Sequence, residues 1–198
     1  MTARVVLATR NAGKIAELRR ILSAYDIDLV GLDAFADLAD VVEDGASFVD
    51  NALLKARVVG QATGLVAVAD DSGLAVDALN GMPGILSARW SGRHGADDAN
   101  LDLVLAQIAD IPEERRGAAF VCAAAAVSPD GREVVCEEKV VGTLLRERRG
   151  SNGFGYDPIF VPLGETRTTA EMSSEDKDAI SHRGKAFRAL APKLAELL

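Results

Sequence analysis

Two adjacent carboxylates, Asp70 and Asp71, follow the apolar run Leu65–Ala69 directly and lead into Ser72-Gly73. Acids emerging from the end of a buried strand are costly unless a cation compensates them. Hard oxygen donors with no cysteine or histidine cluster beside them suit Mg²⁺ better than zinc. The competing local reading is a turn, in which Asp and Ser bond nearby backbone. Glu43, in the polar loop Glu43-Asp44-Gly45, is a third acid, read either as a metal ligand or as a solvated loop residue.

Cations and polar groups that could meet phosphate lie at Thr9-Arg10-Asn11-Ala12-Gly13-Lys14. The apolar run Val5–Ala8 precedes them, and Ile15, Leu18, Ile21, Leu22 and Tyr25 follow at helical spacing. The segment therefore spans a strand-to-helix junction, where unpaired N–H groups and the helix dipole favour an anion. It is not a Walker A loop, because Ile15 follows Gly13-Lys14 where that motif needs Ser or Thr. Lys55 sits in the apolar stretch Ala52–Ala56 and shares a helix face with Asn51. It either extends its ammonium to water or turns it to a phosphate.

Gly150-Ser151-Asn152-Gly153-Phe154-Gly155-Tyr156-Asp157-Pro158 flanks an aromatic ring with glycines. Such a ring either packs inward or offers a face on which a nucleobase stacks, worth roughly 1–3 kcal/mol. Lys177, Ser181, His182 and Arg183 add hydrogen-bond donors for a carbonyl or phosphate oxygen, unless Ser181 merely caps the last helix.

These residues need a scaffold. The chain has 198 residues, enough for one sizeable core or two lobes sharing a sheet. The pattern begins strand, helix, strand over 4–8, 14–24 and 28–32. Ser47-Phe48-Val49-Asp50 opens a helix running to about Thr63, and Leu65–Ala69 is a strand that stops at Asp70. Asp97 or Asp98 caps a helix reaching Ile108, and residues 118–127 and 133–145 form a long hairpin through Ser128-Pro129-Asp130-Gly131. A short strand at 158–161 follows, and Pro192 kinks or restarts the final helix. Alternating helices and strands followed by a hairpin predict an α/β fold, a long mixed sheet flanked by helices, with ligands near strand ends.

A formal net charge of −8 gives no general attraction to nucleic acid or an anionic membrane, so a phosphorylated ligand must meet local cations. No run is long and apolar enough to span a bilayer. Cys122 and Cys136 do not fall opposite one another in a simple hairpin register, and read as buried thiols of a cytoplasmic protein.

Together, Thr9–Lys14, Asp70-Asp71-Ser72-Gly73-Leu74, Gly81-Met82-Pro83-Gly84-Ile85 with Ser87-Ala88-Arg89, Gly153–Phe160 and Ser181–Ala186 occur in this order. The full-length chain closely resembles the inosine triphosphate pyrophosphatase family, also called XTP/dITP diphosphatases. The resemblance implies Mg²⁺-dependent hydrolysis of ITP, dITP and XTP to monophosphate and pyrophosphate. It implies a single domain over 1–198 with an elongated two-lobed fold, a site in the cleft between lobes, and a homodimer to which residues 81–90 contribute. Carried over by position, Thr9, Arg10, Asn11, Ala12, Gly13, Lys14 and Lys55 hold the polyphosphate. Asp71 is general base and metal ligand, Glu43 a metal ligand, and Ser72 a substrate contact. Phe154, Gly155, Tyr156, Asp157, Lys177, His182 and Arg183 form the nucleoside pocket. Arg10 stands where glycine is common in the family. A modified nucleotide of another kind, or nucleotide binding without catalysis, are the alternative readings.

Overall fold

The first strand and helix meet at a capped junction. In the computed structural model, β1 (Ala3–Leu7) is followed by α1 (Ala12–Leu22), whose N-cap is Asn11. The Asn11 side chain accepts from the backbone N–H of Lys14 at 3.0 Å, satisfying a first-turn donor. All residues are described except Met1, Thr2, Ala24, Asp26, Ala36 and Asp37, together with the side chain of Ala3. The expected end of the first helix at Ala24 lies outside the described residues.

β2 (Ile27–Gly31) pairs parallel with β1, and so does β3 (Val66–Val76) on the other side. Between them α2 (Phe48–Thr63) begins at the expected cap, where Ser47 accepts from the N–H of Asp50 and donates to its carboxylate. It ends at Gly64 in the left-handed conformation, φ 68°. α3 (Asp97–Gln107), β4 (Gly117–Val127), β5 (Glu133–Leu144), β6 (Phe160–Pro162), α4 (Ser174–Ile180) and α5 (His182–Ala195) complete the order. The six-stranded sheet runs β2-β1-β3-β4-β5-β6, with β5 and β6 antiparallel. The fold is thus α/β with a mixed sheet flanked by helices, as the residue pattern predicts.

Two expectations are corrected. β3 does not stop at Asp70; it continues unbroken to Val76, and it is β1 that ends. Leu7 is the last β1 residue paired with β3, opposite Val68, and Ala8 N–H bonds the Val68 carbonyl. The carboxylates therefore lie just past the neighbouring strand's end, within their own strand. Neither Asp97 nor Asp98 caps α3: the N-cap is Ala96, and both acids lie in the first turn, where the dipole favours them. α5 runs through Pro192 to Ala195.

The chain divides into two compact units. The first comprises residues 1–71, 122–138 and 183–198. Its strands alternate between two apolar layers, as the pleat requires. Val5, Leu7, Val66, Val68, Cys122, Ala124 and Ala126 pack with Leu18 and Leu22 of α1 and Phe187 and Leu190 of α5. Val6, Ala8, Ala67, Ala69, Ala123 and Ala125 pack with Ala52, Ala56 and Val59 of α2. The alanines on this second face let α2 lie close to the sheet. The second unit, residues 72–121 and 139–182, has its own core. There Leu74, Val76 and Phe120 meet Leu101 and Val104 of α3 and Ile108 at its C-cap, with Tyr156, Ile159 and Phe160. Cys122 and Cys136 are buried free thiols. Among the described residues no helix is long and apolar enough to cross a membrane.

Candidate active site

Alternation along β3 assigns its two acids. Asp70 shares parity with Val66 and Val68, on the α1/α5 face, and Asp71 shares parity with Ala67 and Ala69, on the α2 face. Their partners follow from this. Asp70, 1% exposed, receives the Lys14 ammonium at 3.0 Å and the Arg183 guanidinium at 3.3 Å. Arg183 also pairs with Glu17, one turn beyond Lys14 on α1. A row of charge results, Lys14–Asp70–Arg183–Glu17, alternating in sign and buried except at the half-buried Lys14. Burial works against the charged form of Arg183, but Asp70 and Glu17 outweigh it and raise its pKa above the ordinary arginine value.

Asp71 accepts from the side-chain amide of Asn51 at 3.1 Å and lies 3.5 Å from the Lys55 ammonium. That ammonium is also 2.6 Å from Glu43, which the loop before α2 brings to it. Asn51 and Lys55, four residues apart on α2, therefore serve the same carboxylate. Burial pushes the Asp71 carboxyl above its ordinary range, and the nearby Glu43 adds to this, while Lys55, Lys14 and Asn51 pull the other way. At Lys55, burial favours the neutral amine, yet Asp71, Asp70 and Glu43 together overcome it and its pKa rises. An elevated carboxyl pKa makes Asp71 a stronger proton acceptor once ionised.

The donor set suits a hard divalent cation. Glu43 and Asp71 both meet the Lys55 ammonium, so two hard carboxylate donors face the same cation. No three His, Cys, Asp or Glu residues form a ready-made metal cage among the described residues.

Around this site the junction residues take distinct roles. Thr9 accepts from Asn11 N–H at 3.2 Å, and the exposed Asn11 and Ala12 start the helix. Gly13 and Lys14 are half-buried in its first turn. Arg10 turns to the 38–40 loop, donating to Asp40 at 2.8 Å and to the Leu38 carbonyl. Ser72, next on β3, is half-buried.

The second unit holds the other predicted residues. Asp157, 3% exposed, accepts from Lys177 at 2.6 Å, Thr169 at 2.7 Å and the N–H of Phe154 at 2.8 Å. A Cβ at Gly153, whose φ is 75°, would collide with that carboxylate, so glycine both permits the turn and lets the acid approach. The Lys177 ammonium lies 5.0 Å from the centre of the Phe154 ring, within cation–π range. His182 stacks on Phe120 with centroids 4.8 Å apart and planes 14° from parallel. A cavity is lined by Phe120, Val140, Asp157, Phe160, Pro162, Thr169, Lys177, Ile180, Ser181 and His182. Gly155 presents its N–H to Asp97 at 3.0 Å.

Two of the residues expected in this pocket also have structural partners. Tyr156 is core: its hydroxyl donates to the Ser87 carbonyl at 2.8 Å and its ring packs in the second unit's apolar cluster. Arg183 pairs with Glu17 and Asp70, two buried acids that require a cation. Asn51, Glu17 and Asp70 are functional candidates that the site assignment from sequence leaves out. The signal for Asn51 was its position four residues before Lys55; that for Glu17 was its spacing of three from Lys14.

The Ham1 family matches residues 5–193. The dITP/XTP pyrophosphatase of Streptomyces coelicolor is 64% identical over 197 residues, covering 98% of each chain. That of Mycobacterium tuberculosis is 54% identical over 200 residues, covering 100% of this chain and 98% of the relative. Among solved structures, the nucleoside-triphosphatase / dITP/XTP pyrophosphatase of Mycobacterium abscessus aligns with TM-score 0.77 at 59% identity, over 96% of this chain and 99% of its own. A HAM1 protein from Coxiella burnetii aligns with TM-score 0.88 at 39% identity, over 98% and 99%. The ordered motifs, the mixed sheet and these full-length matches agree, and the chain belongs to the Ham1 family.

Proposed function

We propose that this chain is a nucleoside triphosphate pyrophosphatase that hydrolyses ITP, dITP and XTP to the monophosphate and pyrophosphate, removing deaminated purines from the nucleotide pool. The observation that carries the reading is Asp71: buried, raised in pKa, oriented by Asn51 and set beside Lys55 and Glu43. The names of the relatives support the substrate class.

Thr9, Asn11, Gly13 and Lys14 bind the polyphosphate at the α1 N-terminus, where N–H groups and dipole favour an anion. Asp71 takes the proton of a water attacking the α-phosphorus, and pyrophosphate departs with the electron pair of the broken P–O bond. Lys14 and Lys55 offset the charge gathering on that leaving group. Glu43 and Asp71 are the residues that would hold Mg²⁺, which when bound lowers the pKa of water and screens the phosphates. Arg10, paired with Asp40, shapes the loop that carries Thr9 and Asn11.

In the second unit Phe154 offers a stacking face, and Lys177, Ser181 and His182 offer donors to the purine 6-carbonyl. Adenine, with an amino group at that position, sets donor against donor and leaves buried groups unpaired. Sites built this way discriminate by roughly 10⁴–10⁵-fold. The reading also includes a homodimer to which residues 81–90 contribute and a cytoplasmic setting; the two free buried thiols support the latter. One domain of activity, residues 1–198, comprises both units. Phosphorus NMR of the dITP reaction tests the bond cleaved: dIMP and pyrophosphate are expected, whereas dIDP and orthophosphate would overturn the assignment.

A further inference from the structure

Asn51 has no exposed surface, so it cannot touch a nucleotide, yet its amide joins two parts of the candidate metal site. Its oxygen accepts from the Gly45 backbone N–H at 2.8 Å, and its nitrogen donates to Oδ2 of Asp71 at 3.1 Å. The two ends are not interchangeable. A backbone N–H only donates, so the carbonyl end must face Gly45, and the NH₂ end is then committed to Asp71. Gly45 lies two residues after Glu43, so one rigid amide fixes Asp71 and the loop carrying Glu43 at the same time. The loop meets the amide as closely as a backbone can: a Cβ on Gly45 would stand 2.6 Å from the Asn51 oxygen and 2.7 Å from the Asp50 Cβ.

We infer that Asn51 is a positioning residue that sets the spacing of Glu43 and Asp71 for a divalent cation and holds Asp71 in the orientation from which it accepts a proton. Lys55 reaches the same two acids by charge, but an ammonium on a flexible stem does not fix direction. Asn51 fixes it by two directed bonds from a side chain with few rotamers. Partners of metal ligands that act this way change metal affinity or activity by about 10–100-fold when removed. The inference rests on the proposed activity for its kinetic consequence, while its metal consequence stands alone.

The test uses the full-length protein with Asn51→Leu, which removes both bonds, and Asn51→Asp. The latter keeps the size and the acceptor facing Gly45 but no longer presents the amide N–H to Asp71. Mn²⁺ binding without nucleotide is measured by the electron paramagnetic resonance of the free ion. kcat and KM for dITP are measured at saturating Mg²⁺, and circular dichroism reports folding. In both variants the Mn²⁺ dissociation constant is expected to rise about 10–100-fold and kcat to fall by a similar factor. KM should change less than about threefold, because the orientation of a base is felt in the transition state. Should Asn51→Leu fail to fold, Asn51→Asp decides. Wild-type Mn²⁺ affinity and kcat in Asn51→Asp would overturn the inference, leaving Asn51 as packing and a loop anchor; so would a rise in KM alone. Should the wild type release no pyrophosphate, the activity reading falls, and the Mn²⁺ comparison still decides the role of Asn51.

Discussion

Asp70 and Asp71 are consecutive in β3, yet their carboxylates serve opposite faces of the sheet. Asp70 meets Lys14 of α1 and Arg183 of α5, whereas Asp71 meets Asn51 and Lys55 of α2. Two acids that look equivalent in sequence therefore have separable tasks. Asp71→Asn is expected to lower kcat by about 10²–10⁴-fold, the span of general-base contributions, while nucleotide still binds. Asp70→Asn frees Lys14 from its anchor, so KM should rise about tenfold, roughly 1.4 kcal/mol of binding, with a smaller change in kcat. Steady-state kinetics on dITP separates the two. Full turnover by Asp71→Asn would remove it as the base.

The Arg183–Glu17 pair is buried on both sides. Removing one partner strands part of the other's charge away from water, which costs about 3–5 kcal/mol. Glu17→Gln keeps shape and removes only charge, so any loss is electrostatic. Urea unfolding should show a decrease in that range. A change under about 1 kcal/mol would mean that the pair contributes little, as exposed pairs do.

Tyr156 gives the fold an alkaline limit. Burial, and the neighbouring Asp97, raise its phenol well above the usual tyrosine value. The unfolded chain releases this proton near pH 10 while the folded chain retains it, so ionisation favours unfolding. The contribution is complete below about pH 10 and is lost as pH climbs from there through the raised folded value. Tyr156→Phe loses its bond to the Ser87 carbonyl and should be less stable at pH 8 by about 1 kcal/mol. Its stability should then decline less steeply than wild type above pH 10. Parallel slopes in thermal melts from pH 8 to 11 would contradict this.

Much of the scaffold is legible in the chain. Period-two alternation, the Ser47 cap and the Ser128–Gly131 turn locate strands, helix and hairpin within a residue or two. The extent of β3 is not legible, because Asp70 and Asp71 read locally as a turn. Only the lysines, Arg183 and Asn51, brought by three helices, make charged residues tolerable inside a strand. The partners of Tyr156 and Arg183 are illegible for a related reason: a motif fixes a residue's place in the chain but not the group its side chain meets in the fold. Ser87 and Glu17, distant in sequence, are those groups.

The most direct measurement is pyrophosphate release from dITP, XTP, ITP and ATP, each with Mg²⁺ and with EDTA. The account predicts rapid release from the first three with Mg²⁺, none with EDTA, and release from ATP slower by roughly 10⁴-fold, as donor pairing to the 6-carbonyl requires. Equal rates from all four would contradict the 6-carbonyl pocket, and release undiminished by EDTA would contradict the role of Glu43 and Asp71.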